Sequence, residues 1–285
     1  MLLKEIHDHV NTECYGKHPG KKIIPSSFRA EFDDTQAIQS AIKQHGLVVI
    51  NCRRKSLLIT AKLIKSIFGK PIKNTAGGRT GYISRIRKSE IKGRFRTYTA
   101  SEFAEPLHTD GGHLPIFPRF VSFYCVQPAL NGGLSTIVSV RELLESLYQK
   151  FNEEIYSFLQ PNFLQIDTMY SRNISKQLFF RLENNEIGLS YWPVMFNVKT
   201  SETGSNMLLA INKFIHDPVN QYRFKLEKHE LLVVDNCRVL HSRTAFHKND
   251  QRCLLRLWNG LVEPGKIEVL SDWRDLETSV ERCSY

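Results

Sequence analysis

The chain has no Cys-x-x-Cys pair. Cys14, Cys52, Cys125, Cys237, Cys253 and Cys283 lie too far apart in sequence for a zinc ribbon or a redox couple of that kind, so they read as reduced structural thiols. Nor is there an uninterrupted apolar run near the roughly 18 residues that a membrane-spanning helix requires. Lys4, Glu5, His7 and Asp8 break up the opening segment, so no secretory leader is expected and the chain reads as soluble and cytoplasmic. Internal repeats and low-complexity tracts are also missing. Acid is scarce: 39 Lys and Arg stand against 29 Asp and Glu, for a formal charge of +10. The imbalance is concentrated between Lys70 and Arg96, where Lys70, Lys73, Arg79, Arg85, Arg87, Lys88, Lys92, Arg94 and Arg96 face Glu90 as the one acid. Such a stretch is either a solvated basic face or a surface for an anionic partner. A nucleic-acid module is disfavoured, because no basic-aromatic reading motif accompanies the charge.

What is present is enough apolar material for one large domain: 285 residues, 41% of them hydrophobic. The expected organisation is a single domain over 1–285, with an αβα opening at about 33–72 and a variable lid loop at about 74–100. Asp33 or Asp34 can cap a helix from Thr35 to about His45 that Gly46 ends. Leu47 to Ile50 reads as a short buried strand, and about Leu57 to Phe68 as an amphipathic helix stopped by Gly69-Lys70-Pro71. After Pro118 the pattern favours strands: Phe120–Val126, Leu134–Val140, Gln177–Leu182 paired with Ile187–Tyr191 across Asn184-Asn185, Tyr222–Leu226, Leu231–Val234 and Leu254–Trp258. Helical stretches interrupt them from Arg141 to about Leu159 and near Asn206 to Ile215, while Asn74 to Arg96 and Thr200 to Ser205 are the flexible candidates. The series suggests a sandwich or jelly roll.

The densest chemistry is Leu107-His108-Thr109-Asp110-Gly111-Gly112-His113. On a strand, His108 and Asp110 would project to one side, about 7 Å apart at Cα, within reach of one ion. A third ligand is offered by His241 in Asp235-Asn236-Cys237-Arg238-Val239-Leu240-His241, with Asp235, Asn236 and Arg238 shaping the turn before it. Two histidines and a carboxylate form the facial triad of non-haem Fe(II) oxygenases and leave open positions on the metal. Alone, an HxD pair is equally consistent with a histidine packed at a strand end. His113 and His247 lack same-face spacing with the triad and read as surface or supporting groups.

At these residues the chain resembles the taurine dioxygenase-like (TauD/TfdA) superfamily of Fe(II)/2-oxoglutarate-dependent oxygenases, nearer its clavaminate-synthase-like and amino-acid hydroxylase members. The resemblance spans HGLVVI at 45–50, the helix into Phe68-Gly69-Lys70-Pro71, LHTDGG at 107–112, NGGLST at 131–136, DNCRVLHSR at 235–243 and QRCLLRLW at 251–258. It implies a mainly β protein with flanking helices, a double-stranded β-helix (distorted jelly roll) with the triad at its open end. It also implies Fe(II) as metal, 2-oxoglutarate as cosubstrate and O2 as oxidant. Arg252 matches the arginine that pairs with the distal carboxylate of 2-oxoglutarate, a task that suits a guanidinium fork. Ser135 matches the assisting hydroxyl, with Thr136 next if the register differs by one.

Arg256 shares a strand face with Arg252, and related enzymes use this second arginine for the substrate or the iron-proximal carboxylate. Arg79, Tyr82, Tyr98 and Glu105 are further candidate substrate contacts. The expected reaction is hydroxylation of an unactivated C–H bond in a small polar or anionic molecule, amino-acid-like, a natural-product intermediate or carrier-tethered, with release of succinate and CO2. Asp110 argues against halogenase relatives, which lose that carboxylate, and Ala104 stands where the taurine enzymes carry asparagine. A cupin-like hydrolase or isomerase is the alternative; its chemistry has no use for a distal carboxylate clamp.

Overall fold

Local signals set the opening elements. In the computed structural model, which describes residues 22, 24–74, 81–88, 100–114, 116–152, 164–166, 174–176, 178–182, 186–192 and 202–262, strand β1 (Arg29–Glu31) leads into helix α1 (Thr35–His45). The Asp34 carboxylate accepts from the backbone N–H of Ala37 to cap α1, and Gly46, at φ 74°, closes it in the left-handed conformation. Strand β2 (Leu47–Asn51) follows, then α2 (Leu57–Phe68), whose first turn is capped by the Ser56 hydroxyl. Ile38, Ala41 and Ile42 of α1 and Ala61, Ile64 and Phe68 of α2 are buried on one side of the major sheet with Val48 and Ile50.

That sheet runs β1-β2-β13-β6-β15-β3, where β3 is Pro71–Ile72, β6 Pro118–Gln127, β13 Glu230–Asp235 and β15 Cys253–Leu261; β4 (Ile83–Arg87) also pairs with β15. A minor sheet runs β12-β7-β14-β5, with β5 Glu105–His108, β7 Ser135–Ser139, β12 Tyr222–Phe224 and β14 Val239–Arg243. The hairpins β8 (Leu164–Ile166) with β9 (Ile174–Lys176), and β10 (Phe179–Arg181) with β11 (Ile187–Leu189), are antiparallel. Helices α3 (Val140–Phe151) and α4 (Glu202–His216) cover the outer face of the minor sheet, burying Leu143, Leu147, Met207 and Ile211 with Val138 and Leu240. This is the mainly β, helix-flanked architecture expected, with the two sheets facing each other and not closing into a barrel.

Strand β13 shows how the layers assemble. All six of its residues are buried: Leu231 and Val233 face the helices, while Leu232 and Val234 enter the inter-sheet core with Val121, Ile137, Val239 and Trp258. A strand covered on both faces reads as a continuous apolar run, which is how Leu231–Val234 appears in the sequence. Each such side chain contributes about 1.5–3 kcal/mol relative to exposure.

Several expectations need correction. The stretch from Asn74 to Arg96 is not one loop: β4 lies within it and pairs with β15 from Arg87↔Cys253 to Ile83↔Leu257, while 75–80 and 89–99 fall outside the described residues. Thr200 to Ser205 is not a loop throughout, because α4 starts at Glu202. Helix α3 ends at Phe151, with 153–163 outside the described residues, as is the Asn184-Asn185 turn. Strand β5 stops at His108, so Asp110 lies in the following turn. Among the described residues no helix is long and apolar enough to cross a membrane.

Candidate metal centre and cosubstrate cavity

His108 and His241 meet because their strands pair. In the antiparallel β14/β5 ladder His241 is directly opposite His108, and their ring centroids lie 4.6 Å apart. Asp110 reaches the same point from the turn. Its backbone N–H donates to Asn236 Oδ1 at 2.7 Å, and Asn236 Nδ2 donates to the carbonyls of Asp110 and Pro118 at 2.9 Å each. Fully buried, Asn236 thus ties the loop before β14 to the turn after β5. One donor atom from each of His108, Asp110 and His241 lies within 4.8 Å of the others, and all three residues are buried.

The donor set fits a divalent metal. His108 Nδ1 donates to the Pro106 carbonyl at 2.8 Å, which fixes the tautomer and leaves Nε2 facing Asp110 Oδ1 at 3.4 Å. Among the described residues neither ring nitrogen of His241 has a hydrogen-bond partner, although both are buried. Burial and then the adjacent His108 push the His241 pKa down to about 3, so its imidazole is neutral, the form that ligates. Burial opposes a charged His108, but Asp110 and Glu105 outweigh it and raise its pKa, so this spot favours a cation. Burial likewise opposes the Asp110 carboxylate, yet Arg256 and the two histidines hold it well below the usual carboxylate range.

The triad opens onto a cavity of about 470 Å³ between the sheets, which Ser135, Arg252, Glu105 and Arg256 also line, with Phe123, Leu232 and Leu254 as apolar walls. Arg252 is only 8% exposed, and its guanidinium makes no hydrogen bond or ion pair among the described residues. Burial and the neighbouring Arg243 draw its pKa down to about 9, so it stays cationic at neutral pH. Gly133, at φ 66°, lies against it: a Cβ there would meet Arg252 Cδ at 3.2 Å and Ala129 Cβ at 2.9 Å. The NGG segment therefore needs a residue without a side chain to admit the arginine.

The other candidates separate. Glu105 lines the cavity without an ion pair or hydrogen bond among the described residues. Thr136, on the opposite face of β7 from Ser135, lines a second cavity of about 390 Å³ instead. Arg256 is in the main cavity, but its Nη1 is on the Asp110 carboxylate, at 3.0 and 3.1 Å from the two oxygens. Tyr82, 5% exposed, does not reach the cavity; it packs with Tyr124, Leu255 and Leu257 on the helix-covered side of the major sheet, where its ring is apolar filling. Arg79 and Tyr98 lie outside the described residues. Neither His113 nor His247 lines the cavity.

Asp235 and Arg238 shape the turn as expected: Asp235 pairs with Arg119 at 2.7 Å, and Arg238 donates to the carbonyls of Ile42 and Lys43 at the end of α1. Sequence reasoning missed the clamp by Asn236, the Trp192 ring packed on His108 at 4.3 Å, and Trp258, whose indole N–H donates to Asp110 Oδ2 at 2.8 Å. Trp258 could have been found by extending the alternation Arg252, Leu254, Arg256 one step further.

Comparison with known proteins agrees with this geometry. A family model described as taurine catabolism dioxygenase TauD, TfdA family matches residues 16–258. Among solved structures, asparagine oxygenase in complex with Fe(II), 2S,3S-3-hydroxyasparagine and succinate is similar at TM-score 0.61 and 15% identity, covering 90% of each chain. The non-haem iron oxygenase OrfP in complex with Fe and α-ketoglutaric acid is similar at TM-score 0.60 and 13% identity, over 78% of this chain and 76% of that one. PvcB, an Fe, α-ketoglutarate-dependent oxygenase from an isonitrile synthetic pathway, gives TM-score 0.57 at 18% identity over 82% and 83%.

Proposed function

Because the chain belongs to the taurine catabolism dioxygenase TauD, TfdA family, we propose that it binds Fe(II) through His108, Asp110 and His241, takes 2-oxoglutarate as cosubstrate, and hydroxylates an unactivated C–H bond of a small, amino-acid-like molecule. The observation that carries this reading is a single cavity holding both the buried triad and a buried guanidinium with no hydrogen-bond or ion-pair partner among the described residues. A hydrolase or isomerase would have no use for the second feature.

The charge balance supports a dicarboxylate. Arg243 and Arg252 are both buried, and Glu105, across the β14/β5 ladder from Arg243, is the acid acting on both. Glu102 acts on Arg243 as well, so of the two guanidiniums it is Arg252, with no hydrogen-bond or ion-pair partner among the described residues, that a distal carboxylate would match. Arg252 offers parallel N–H donors to that carboxylate, and the Ser135 hydroxyl supplies a further donor. His108, Asp110 and His241 would hold the metal as a set of two histidines and one carboxylate, a donor set that suits Fe(II) with a cosubstrate and O2. When bound, iron with 2-oxoglutarate and O2 supplies the oxidising power for C–H cleavage, and the cosubstrate leaves as succinate and CO2. Phe123, Leu232 and Leu254 keep the cavity wall dry, which strengthens every charged contact within it. An amino-acid-like substrate is supported by asparagine oxygenase, whose complex holds 3-hydroxyasparagine, and by OrfP, solved in complex with hydroxy-L-Arg.

The test is to incubate the Fe(II)-loaded protein with 2-oxoglutarate and panels of free amino acids, sulfonates, phosphonates and carrier-tethered acids, following succinate by mass spectrometry. Substrate-stimulated succinate release with a product heavier by one oxygen is expected. Full activity in Asp110→Ala would sink the ligand assignment.

A further inference from the structure

The Asp110 carboxylate is held by more than the residues that would share a metal with it. Its two oxygens have different surroundings: Oδ1 faces His108 Nε2 at 3.4 Å, whereas Oδ2 accepts the indole N–H of Trp258 at 2.8 Å. Arg256 Nη1 lies against both, at 3.0 and 3.1 Å. The donors come from β15, where Arg256 and Trp258 stand two residues apart on the face turned to the cavity. Trp258 is 1% exposed and packed in the inter-sheet core, so its N–H direction is set by the fold. The backbone of Asp110 is fixed independently by Asn236.

We propose that Trp258, supported by Arg256, is the positioning residue of the metal centre: it engages Oδ2 so that Asp110 presents Oδ1 alone to the ion. This rests on His108, Asp110 and His241 being the metal ligands. A carboxylate free to rotate can offer either oxygen or both. One whose Oδ2 already accepts a directed hydrogen bond from a rigid indole is committed, and the ligand arrives with its orientational entropy already spent. It follows that Arg256 serves the ligand rather than the substrate, so its guanidinium acts on the centre even when no substrate is bound.

The test uses the full-length protein with Zn(II) as probe and needs no turnover. The sequence holds three tryptophans, so 15N labelling gives a simple set of indole resonances in which Trp258→Phe identifies Trp258. A downfield, slowly exchanging Trp258 N–H is expected. It should move upfield and exchange faster in Asp110→Ala/Arg256→Met, a pair chosen so that no buried cation is stranded. An indole signal indifferent to that change overturns the proposal. In calorimetry, Trp258→Phe should weaken Zn(II) binding about 10–100-fold, while Arg87→Met, on the exposed side of β4, leaves it unchanged. Metal affinity in Trp258→Phe equal to wild type overturns this proposal alone, whereas a wild-type protein that binds no Zn(II) overturns the ligand assignment on which it rests.

Discussion

Arg252 and Asp110 carry opposite charges in one cavity, and removing each should have a different signature. Arg252 has no hydrogen-bond or ion-pair partner among the described residues, so Arg252→Met should cost the fold little and even relieve a desolvated cation, while the Michaelis constant for 2-oxoglutarate rises about 10–100-fold, the worth of a charge-assisted contact. His113→Ala should leave that constant unchanged. Cosubstrate titration in the two variants decides; a wild-type response in Arg252→Met would move the clamp elsewhere. Asp110 differs because it neutralises Arg256. Asp110→Ala should abolish metal binding and also destabilise the protein by about 3 kcal/mol, because a buried guanidinium is left unpaired. Adding Arg256→Met should restore most of the lost stability without restoring the metal, which denaturant melts and metal titration report separately. Additive losses in the double variant would show that the Arg256–Asp110 pair does not carry the effect.

Among the elements, the NGG turn links backbone conformation to the cavity. Gly133→Ala forces a side chain into a left-handed backbone, 2.9 Å from Ala129 Cβ and 3.2 Å from Arg252 Cδ. The variant should lose about 1–2 kcal/mol of stability and bind 2-oxoglutarate more weakly as Arg252 shifts, with Zn(II) affinity unchanged. Unaltered cosubstrate binding would mean that the turn and the clamp are independent. The contrast between elements shows what a sequence can reveal. Helices α1 and α2 were legible because their stop signals, Gly46 and Gly69, are local, as is the cap of α1, read as Asp33 or Asp34 and found to be Asp34; the Ser56 cap of α2 was not read. Strand β13 was legible because burial on both faces leaves an unbroken apolar run. The strand carrying His241 was not, since Val239 to Arg243 mixes apolar, ligand and charged residues, and its identity depends on pairing with distant β5 and β7. The triad itself was readable as residue types in order. The means of convergence was not: His108 and His241 meet through cross-strand register, and Asp110 through a turn pinned by Asn236, neither of which has a short-range signature. Tyr82 packs on the far face of the sheet with Tyr124 and Leu257, a placement that the residues around it do not signal.

For the molecule as a whole, the excess of positive charge is separate from the charge in the cavity. Strand β4 runs through the basic stretch, and Ile86 is its residue lining the cavity. Alternation along the strand therefore turns Arg85 and Arg87 to the opposite face, away from the triad. Inside, Arg256 is neutralised by Asp110, and Glu102 and Glu105 both act on Arg243, while Arg252 has no hydrogen-bond or ion-pair partner among the described residues and is the cation to be matched. The surface charge can then act on the site only through the long-range field, which salt at about 0.15 M screens within about 8 Å. We predict that Arg85→Glu and Arg87→Glu each change kcat/KM for the best substrate by less than about twofold at that ionic strength, and that raising salt to about 0.5 M has an equally small effect on 2-oxoglutarate affinity. Steady-state kinetics across a salt series would check it. A loss of about tenfold or more in either variant would show that the basic face reaches the substrate after all, and would make an anionic group on that substrate the thing it reads.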